Sequence, residues 1–258
     1  MSAQSGGYLS NDERLLRISH DLRVAVAQLS FHLPVTWTYN PLYYAWEPYC
    51  DYLRRYGHGP KEVVFLGMNP GPWGMVQTGV PFGEVERVRR WLLISGKVSS
   101  PEIVHPKRPV MGFACGRSEV SGRRLWDFFR GRFGTPRRFF AHHFVANYCP
   151  LMFLDAQARN LTPDRLCAND RIQLFRICDA HLVRIVETLK PRWVVGIGRF
   201  AQRRAELALA SSPVQVAGIL HPSPASPAAN RDWEGQAYGS LVENGIWTES
   251  DPFGVDES

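Results

Sequence analysis

An α/β layer fold is what this sequence predicts: one domain built on a central, mostly parallel four-stranded sheet flanked by helices. Three observations point to it. Four short apolar runs recur along the chain, helical patterns separate them, and no Ser/Gly linker, repeat or low-complexity tract divides the 258 residues. The runs are mostly apolar rather than alternating in polarity, as strands covered on both faces should be. Strands that alternate with helices build parallel sheets, and a chain of this length can bury one large core.

Residues 1–12 are expected to fray, ahead of a domain spanning 13–247. A helix is expected over Asp21–Phe31, and Glu62–Met68 reads as the first strand. Ser121-Gly122 reads as a cap before the helical RRLWDFF. The second strand is Phe139–Ala146. Within it the adjacent His142 and His143 face opposite ways, so the pair reads as structural. Phe175, Cys178, Leu182, Ile185, Val186 and Leu189 keep one helical face, and Pro191 ends that helix. Trp193–Ile197 and Val214–Leu220 complete the sheet. The last helix starts at Asn230, runs through Trp233–Val242 and closes on Asn244-Gly245. Residues 248–258, TESDPFGVDES, carry four acids and no base and read as a flexible acidic tail.

Composition excludes several classes. Hydrophobic residues make up 45% and charged ones 21%, an ordinary globular balance. No apolar run is long enough to span a bilayer, and the start lacks a signal-peptide core, so a soluble intracellular protein with no membrane partner is expected. Five cysteines, without a C-x-x-C pair or paired Cys/His spacing, argue against a disulfide framework, a zinc site or an iron–sulfur cluster. No metal and no cofactor are expected. The net charge of +6 is unevenly spread: residues 87–138 hold thirteen Lys/Arg against three Asp/Glu. A basic block interleaved with aromatics suits a polyanion partner, although a plain solvated surface would look the same.

Parallel sheets bind ligands outside the carboxyl ends of their strands. The residues past three of the strands are MNPGPWG (68–74), NYCP (147–150) and HPSP (221–224), so Asn69, Asn147 and His221 should converge on one crevice. The glycine loop after the first strand lacks both G-x-x-x-x-G-K-[ST] and G-x-G-x-x-G, and no helix is expected right after it, which disfavours phosphate binding. G-x-S-x-G is absent too. Two amides and an imidazole suit a nucleobase. A carboxamide offers acceptor and donor side by side, the complement of uracil's N3–H and O4. A neutral histidine can donate to a carbonyl oxygen that gains charge as the base departs. Phe82 could stack on the base or simply pack in the core.

These residues resemble the single-strand-selective monofunctional uracil-DNA glycosylases of the uracil-DNA glycosylase superfamily. GMNPGPWGMVQTGVPFGEV, HPKRPV, SEVSG, NYCPL, RNLTP and HPSP with P-x-A-N fall in that family's order over roughly residues 35–245. The specific mark is an Asn-type first motif paired with a His-type second one. The resemblance implies a uracil-DNA glycosylase-like fold and hydrolysis of the N-glycosidic bond of uracil, and of 5-substituted uracils such as 5-hydroxymethyluracil, in single- and double-stranded DNA. It implies that Asn69 positions the attacking water, His221 stabilises charge on O2, Asn147 reads the base edge and Phe82 stacks beneath it. Met68, Gly71 and Met75 would line the pocket, the last two near the 5-position. Ser121, Arg123, Pro222, Ser223, Pro224 and Ala225 would meet DNA, the 221–227 loop entering the minor groove. The family often has Arg where Ala225 stands, which leaves Arg231 as the nearest basic candidate, unless it is only a solvated helix-start residue. A monomer acting at DNA is expected. Two other classes stay open: a non-catalytic damage-sensing module, and an enzyme of free nucleosides.

Overall fold

The computed structural model describes residues 9–248. Among them are seven strands: β1 (Trp37–Tyr39), β2 (Val63–Gly67), β3 (His143–Asn147), β4 (Met152–Leu154), β5 (Asn160–Leu161), β6 (Trp193–Ile197) and β7 (Gln215–Ile219). The central sheet has the order β3-β2-β6-β7 and is parallel throughout. Its four strands fall within the four apolar runs of the sequence; β2, β3 and β6 are buried nearly throughout, while the edge strand β7 is half-exposed, from Gln215 onward. Register fixes what the strand ends present. Gly67 pairs with Asn147, and Ile197 with Ile219, so all four strands end on one edge. A second, antiparallel sheet of order β1-β4-β5 was not foreseen, because its strands are only two or three residues long.

The core is a large aromatic-rich cluster, with a smaller one of Tyr39, Tyr44, Ala45, Val76, Met152 and Leu154 beside the second sheet. Phe65 of β2 meets Phe129 at 5.0 Å between ring centres, and Phe129 stacks on Phe139 at 4.2 Å. On the other face the Asn11–Ala27 helix lies along the Ala168–Leu189 helix, burying Leu15, Ile18, Leu22 and Val26. That first helix starts ten residues before the expected Asp21. Ser10 and Glu13 close a capping box at its start, so residues 9–12 are part of the fold. Residues 1–8 and the acidic tail from 249 lie outside the described residues.

Four expectations need correcting. Phe139–Phe140 are helical: Thr135 accepts a bond from the Arg138 amide, Pro136 fills the first position, and a helix runs Pro136–His142 before β3 begins. Ser121 and Gly122 do not cap a helix but lie in the first turn of Val120–Phe133, whose N-cap position is Glu119. The last helix starts at Pro227 with Ser226 as its cap. Asp232 breaks it with extended backbone, then accepts from the Gly235 amide and restarts it. A short helix, Met75–Thr78, follows the glycine loop directly, its C-cap Gly79 at φ +75°.

His143 is structural, as read. It is fully buried, Nδ1 donating to the Phe139 carbonyl and Nε2 accepting from the Trp247 indole, and burial pushes its pKa down to about 3. All five cysteines are free thiols. No described helix is long and apolar enough to cross a membrane.

Candidate active site

The common edge of the sheet carries the three polar residues together. Asn69 follows β2, Asn147 closes β3 and His221 stands two residues past β7. They line one cleft of about 220 Å³ with Met68, Gly71, Phe82, Ser121 and Ser223. A larger hollow, about 570 Å³, lies at the amino ends of β2 and β3 around Lys61, Glu62 and His142, but no convergent amides face it. Chemistry rather than size picks the site.

Each side chain is held by its surroundings. Asn69 donates from Nδ2 to the Leu151 carbonyl at 3.2 Å, which turns its Oδ1 away from that bond. Asn147 donates from Nδ2 to the Met75 sulfur at 3.2 Å, a weak acceptor, while its buried Oδ1 has no partner among the described residues. An unpaired buried acceptor beside a weakly engaged donor is suited to a ligand edge offering one donor and one acceptor. Met75 itself is buried behind Asn147 rather than on the cleft wall.

Phe82 is fixed in a costly backbone conformation, φ +51°, and is only 8% exposed. The Trp126 indole donates to its carbonyl at 3.0 Å. Two glycines make room for it: a β-carbon at Gly67 would fall 2.5 Å from the Phe82 ring, and one at Gly122 would strike the Phe82 carbonyl. The ring lies 6.3 Å from that of His221, tilted by 40°. His221 rests against Gly198, which has φ +91°. Burial pushes the His221 pKa down to about 4, so its imidazole is neutral near pH 7 and carries one N–H.

The predicted DNA-facing residues divide. Ser121 and Ser223 reach the cleft, Pro222 is buried, and Pro224, Ala225, Arg123 and Arg231 are exposed. Arg124, not Arg123, engages the 221–227 loop: it donates to the Pro222 carbonyl at 3.3 Å and to Asn230 Oδ1 at 2.9 Å. Asn230 in turn donates to the Pro224 carbonyl at 2.8 Å. At the rim, Trp73 of the glycine loop is flanked by Arg108 and Arg117, 5.6 and 4.4 Å from its ring centre.

Three cleft residues were not singled out from the sequence: Pro72, Asn160 and Glu119. Asn160 sits in RNLTP and Glu119 in SEVSG, so both motifs carried a signal. The helix-cap reading of Ser121-Gly122 places the helix start two residues too late. Glu119 does not use its carboxylate as a cap; it turns into the cleft against Gly71 and Gly74.

Comparison with known proteins follows the same line. The family model described as the uracil DNA glycosylase superfamily matches residues 55–241. The single-strand selective monofunctional uracil-DNA glycosylase of Rattus norvegicus is 57% identical over 227 residues, 87% of this chain and 82% of the rat protein. Its counterparts from Mus musculus and Bos taurus are 56% and 53% identical, the latter over 93% of this chain and 86% of the bovine protein. Among solved structures, wild-type Pedobacter heparinus SMUG2 superposes with a TM-score of 0.66 over 93% of this chain and 98% of that one. At 14% identity that likeness speaks for the fold alone.

Proposed function

The chain belongs to the single-strand selective monofunctional branch of the uracil-DNA glycosylase superfamily, and on that premise we propose that it hydrolyses the N-glycosidic bond of uracil in DNA and leaves an abasic site. The observation that carries the reading is the meeting of Asn69, Phe82, Asn147 and His221, from four separate segments, around one cleft.

The target nucleotide leaves the base stack, which costs a few kcal/mol, and its base enters the cleft. Phe82 stacks on one face. Asn147 accepts from N3–H with its unpaired Oδ1 and donates to O4 with Nδ2, exchanging the weak sulfur bond for a carbonyl. Cytosine presents an acceptor and an amine in those positions, so the same amide opposes it. As the C1′–N1 bond stretches, charge moves onto the base, and the neutral His221 N–H donates to O2 where that charge collects. A histidine already protonated would bind the ground state as well; a neutral donor acts on charge that exists only late in the reaction. Asn69 orients the water that meets the electron-poor C1′. No lysine stands among the described cleft residues, and the reaction ends at hydrolysis without a Schiff base.

Position 71, a glycine whose missing side chain gives place to the Glu119 carboxyl, lies beside C5, and the pocket accepts 5-hydroxymethyluracil better than thymine, whose methyl displaces water without replacing its bonds. Both single- and double-stranded DNA are substrates, the former preferred. Ala225 is too short to fill the gap of a flipped nucleotide, so the duplex is held open by the 221–227 loop, braced from behind by Arg124 and Asn230. The basic residues of 87–138, with the Arg108–Trp73–Arg117 stack at the rim, meet the backbone and flanking bases. One chain supplies every residue of the cleft, so a monomer suffices for the reaction, inside the cell where DNA lies.

The test is an end-labelled oligonucleotide carrying one uracil, single-stranded or paired as U·A and U·G. Strand scission should appear only after alkali, without added metal, and in the order single strand, U·G, U·A. Scission without alkali would mean a lyase, and normal DNA binding with uracil retained would mean a binding module.

A further inference from the structure

Among the described residues the Glu119 carboxyl is the one acidic group on the cleft wall, and nothing in the proposed hydrolysis uses it. It projects from the start of the Val120–Phe133 helix into the curve of the glycine loop. A β-carbon at Gly71 or Gly74 would overlap its two oxygens, so the loop's glycines at these points make room for a carboxyl group as well as for a base. Oε2 is buried and has no hydrogen-bond partner among the described residues. A buried, unpartnered carboxyl oxygen is costly and in native proteins calls for a specific reason.

Its place along the cleft suggests that reason. The cleft wall carries His221, at O2, Asn147, at N3 and O4, and Gly71, against which Oε1 of Glu119 lies. Oε2 lies against Gly74, next to Met75, whose sulfur meets the Asn147 amine from behind at 3.2 Å, so the carboxyl stands on the Asn147 side of the cleft. On a pyrimidine ring the atom after C4 is C5. We propose that Glu119 is a specificity residue for the 5-substituent, accepting a hydrogen bond from a donor group such as a hydroxymethyl and opposing a methyl that cannot make one. This rests on the glycosylase reading of the site and adds to it a residue that discriminates among 5-substituted bases.

Electrostatics agrees with the placement. Burial, reinforced by the charge of Glu84, pushes the Glu119 pKa up to about 7, so the carboxyl changes charge in the neutral range. The groups facing it are few. Glu84 caps the Val85–Arg90 helix, where Arg87 lies 3.8 Å from it and pairs with Asp127. His221, on the cleft wall, is neutral throughout that range. The glycine loop, residues 68–74, contributes no titratable group. Above neutral pH the ionised carboxyl accepts a charge-assisted bond, about twice as strong as a neutral one.

Single-turnover excision of uracil, 5-hydroxymethyluracil and thymine, each in single-stranded DNA, tests this in the wild type, Glu119→Gln and Glu119→Ala. In the wild type the ratio of 5-hydroxymethyluracil to uracil rates should rise severalfold between about pH 6 and about pH 8, as the acceptor ionises. In Glu119→Gln the ratio should lose its pH dependence. In Glu119→Ala it should fall by about tenfold or more, while thymine gains relative to uracil because the desolvated carboxyl no longer opposes the methyl. If the alanine variant does not fold, the wild-type and glutamine pH profiles decide alone. A ratio that is flat with pH in the wild type and unchanged in Glu119→Gln overturns the proposal while leaving uracil excision intact. A wild type that releases no uracil at any pH instead removes the glycosylase reading beneath it.

Discussion

Gly67→Ala should disable the site from within the sheet. Gly67 ends β2 level with Asn147, and a β-carbon there would overlap Asn147 Oδ1 and stand 2.5 and 2.8 Å from Cε2 and Cζ of Phe82. Ordinary carbon contacts need about 3.5 Å or more, so the ring must retreat by close to 1 Å or the strand must shift. Phe82 has little freedom to retreat. Its backbone is already at φ +51°, its carbonyl is held by Trp126, and Gly122 packs beneath that carbonyl. One methyl therefore disturbs base stacking and base reading together. Stacking is worth about 1–3 kcal/mol per base and the amide bond about 1–3 kcal/mol, so their joint loss of roughly 2–6 kcal/mol lowers the rate by about 30-fold to 10⁴-fold. The overpacking itself should destabilise the fold by about 1–3 kcal/mol. The assay is single-turnover excision of uracil from a single-stranded oligonucleotide, with urea unfolding alongside. Gly116→Ala, where a β-carbon meets nothing within 4 Å, is the control. A folded Gly67→Ala protein within about threefold of wild-type rate would refute the assignment of Phe82 and Asn147 to the base.

Other consequences can be checked in the same assays. Asn147→Asp removes the donor to O4 and should lower uracil excision by about 1–3 kcal/mol in barrier, with weak cytosine release appearing; undiminished uracil excision would take Asn147 out of recognition. Ala225→Arg should raise rates on U·A and U·G duplexes more than on single strands, because a long cation fills the minor groove; equal gains on all three would show that residue 225 is not at the wedge. Acid should unfold the protein early. His143, His181 and His221 are held neutral by burial at about 3, 4 and 4, so the unfolded chain binds protons below its ordinary histidine pKa while the folded one does not. The histidine contribution is complete about one unit above pH 6.5 and falls as pH drops, by up to about 1.4 kcal/mol per unit for each histidine. Glu119, raised to about 7, opposes one of the three, leaving roughly 2.7 kcal/mol per unit near pH 5.5, readable by urea unfolding at two pH values. Equal unfolding midpoints at pH 6.5 and 5.5 would contradict it.

The sheet was legible because parallel strands buried on both faces must be continuously apolar, and Val63–Leu66, Phe144–Ala146 and Val194–Ile197 are. The same rule misled at Phe139–Phe140, where apolar residues reach the core from a short helix and the Thr135-Pro136 start signal was the better guide. Convergence of Asn69, Asn147 and His221 followed from topology alone, since strands in parallel register end on one edge. What the sequence hid was side-chain direction away from strand ends. Glu119 at an N-cap position, turning into the cleft instead of bonding its helix, has no periodic signature. Nor does Arg124, one residue from the expected Arg123, whose role depends on which face of the helix meets the 221–227 loop. Asn160 is brought in by a two-residue strand too short to show a periodicity, so only the RNLTP motif pointed to it.

Free uracil is the most direct readout of the whole reading. A single-stranded, uracil-containing oligonucleotide is incubated with the protein in EDTA, and released base and alkali-labile sites are counted in parallel, by mass spectrometry and by gel. Wild type should yield the two in equal amounts, whereas Asn69→Ala and His221→Leu should bind the DNA with near-normal affinity and release uracil slower by about a hundredfold or more, since both act on the transition state. Uracil released at undiminished rate by the His221→Leu protein, or none released by the wild type while it holds the DNA, would contradict it.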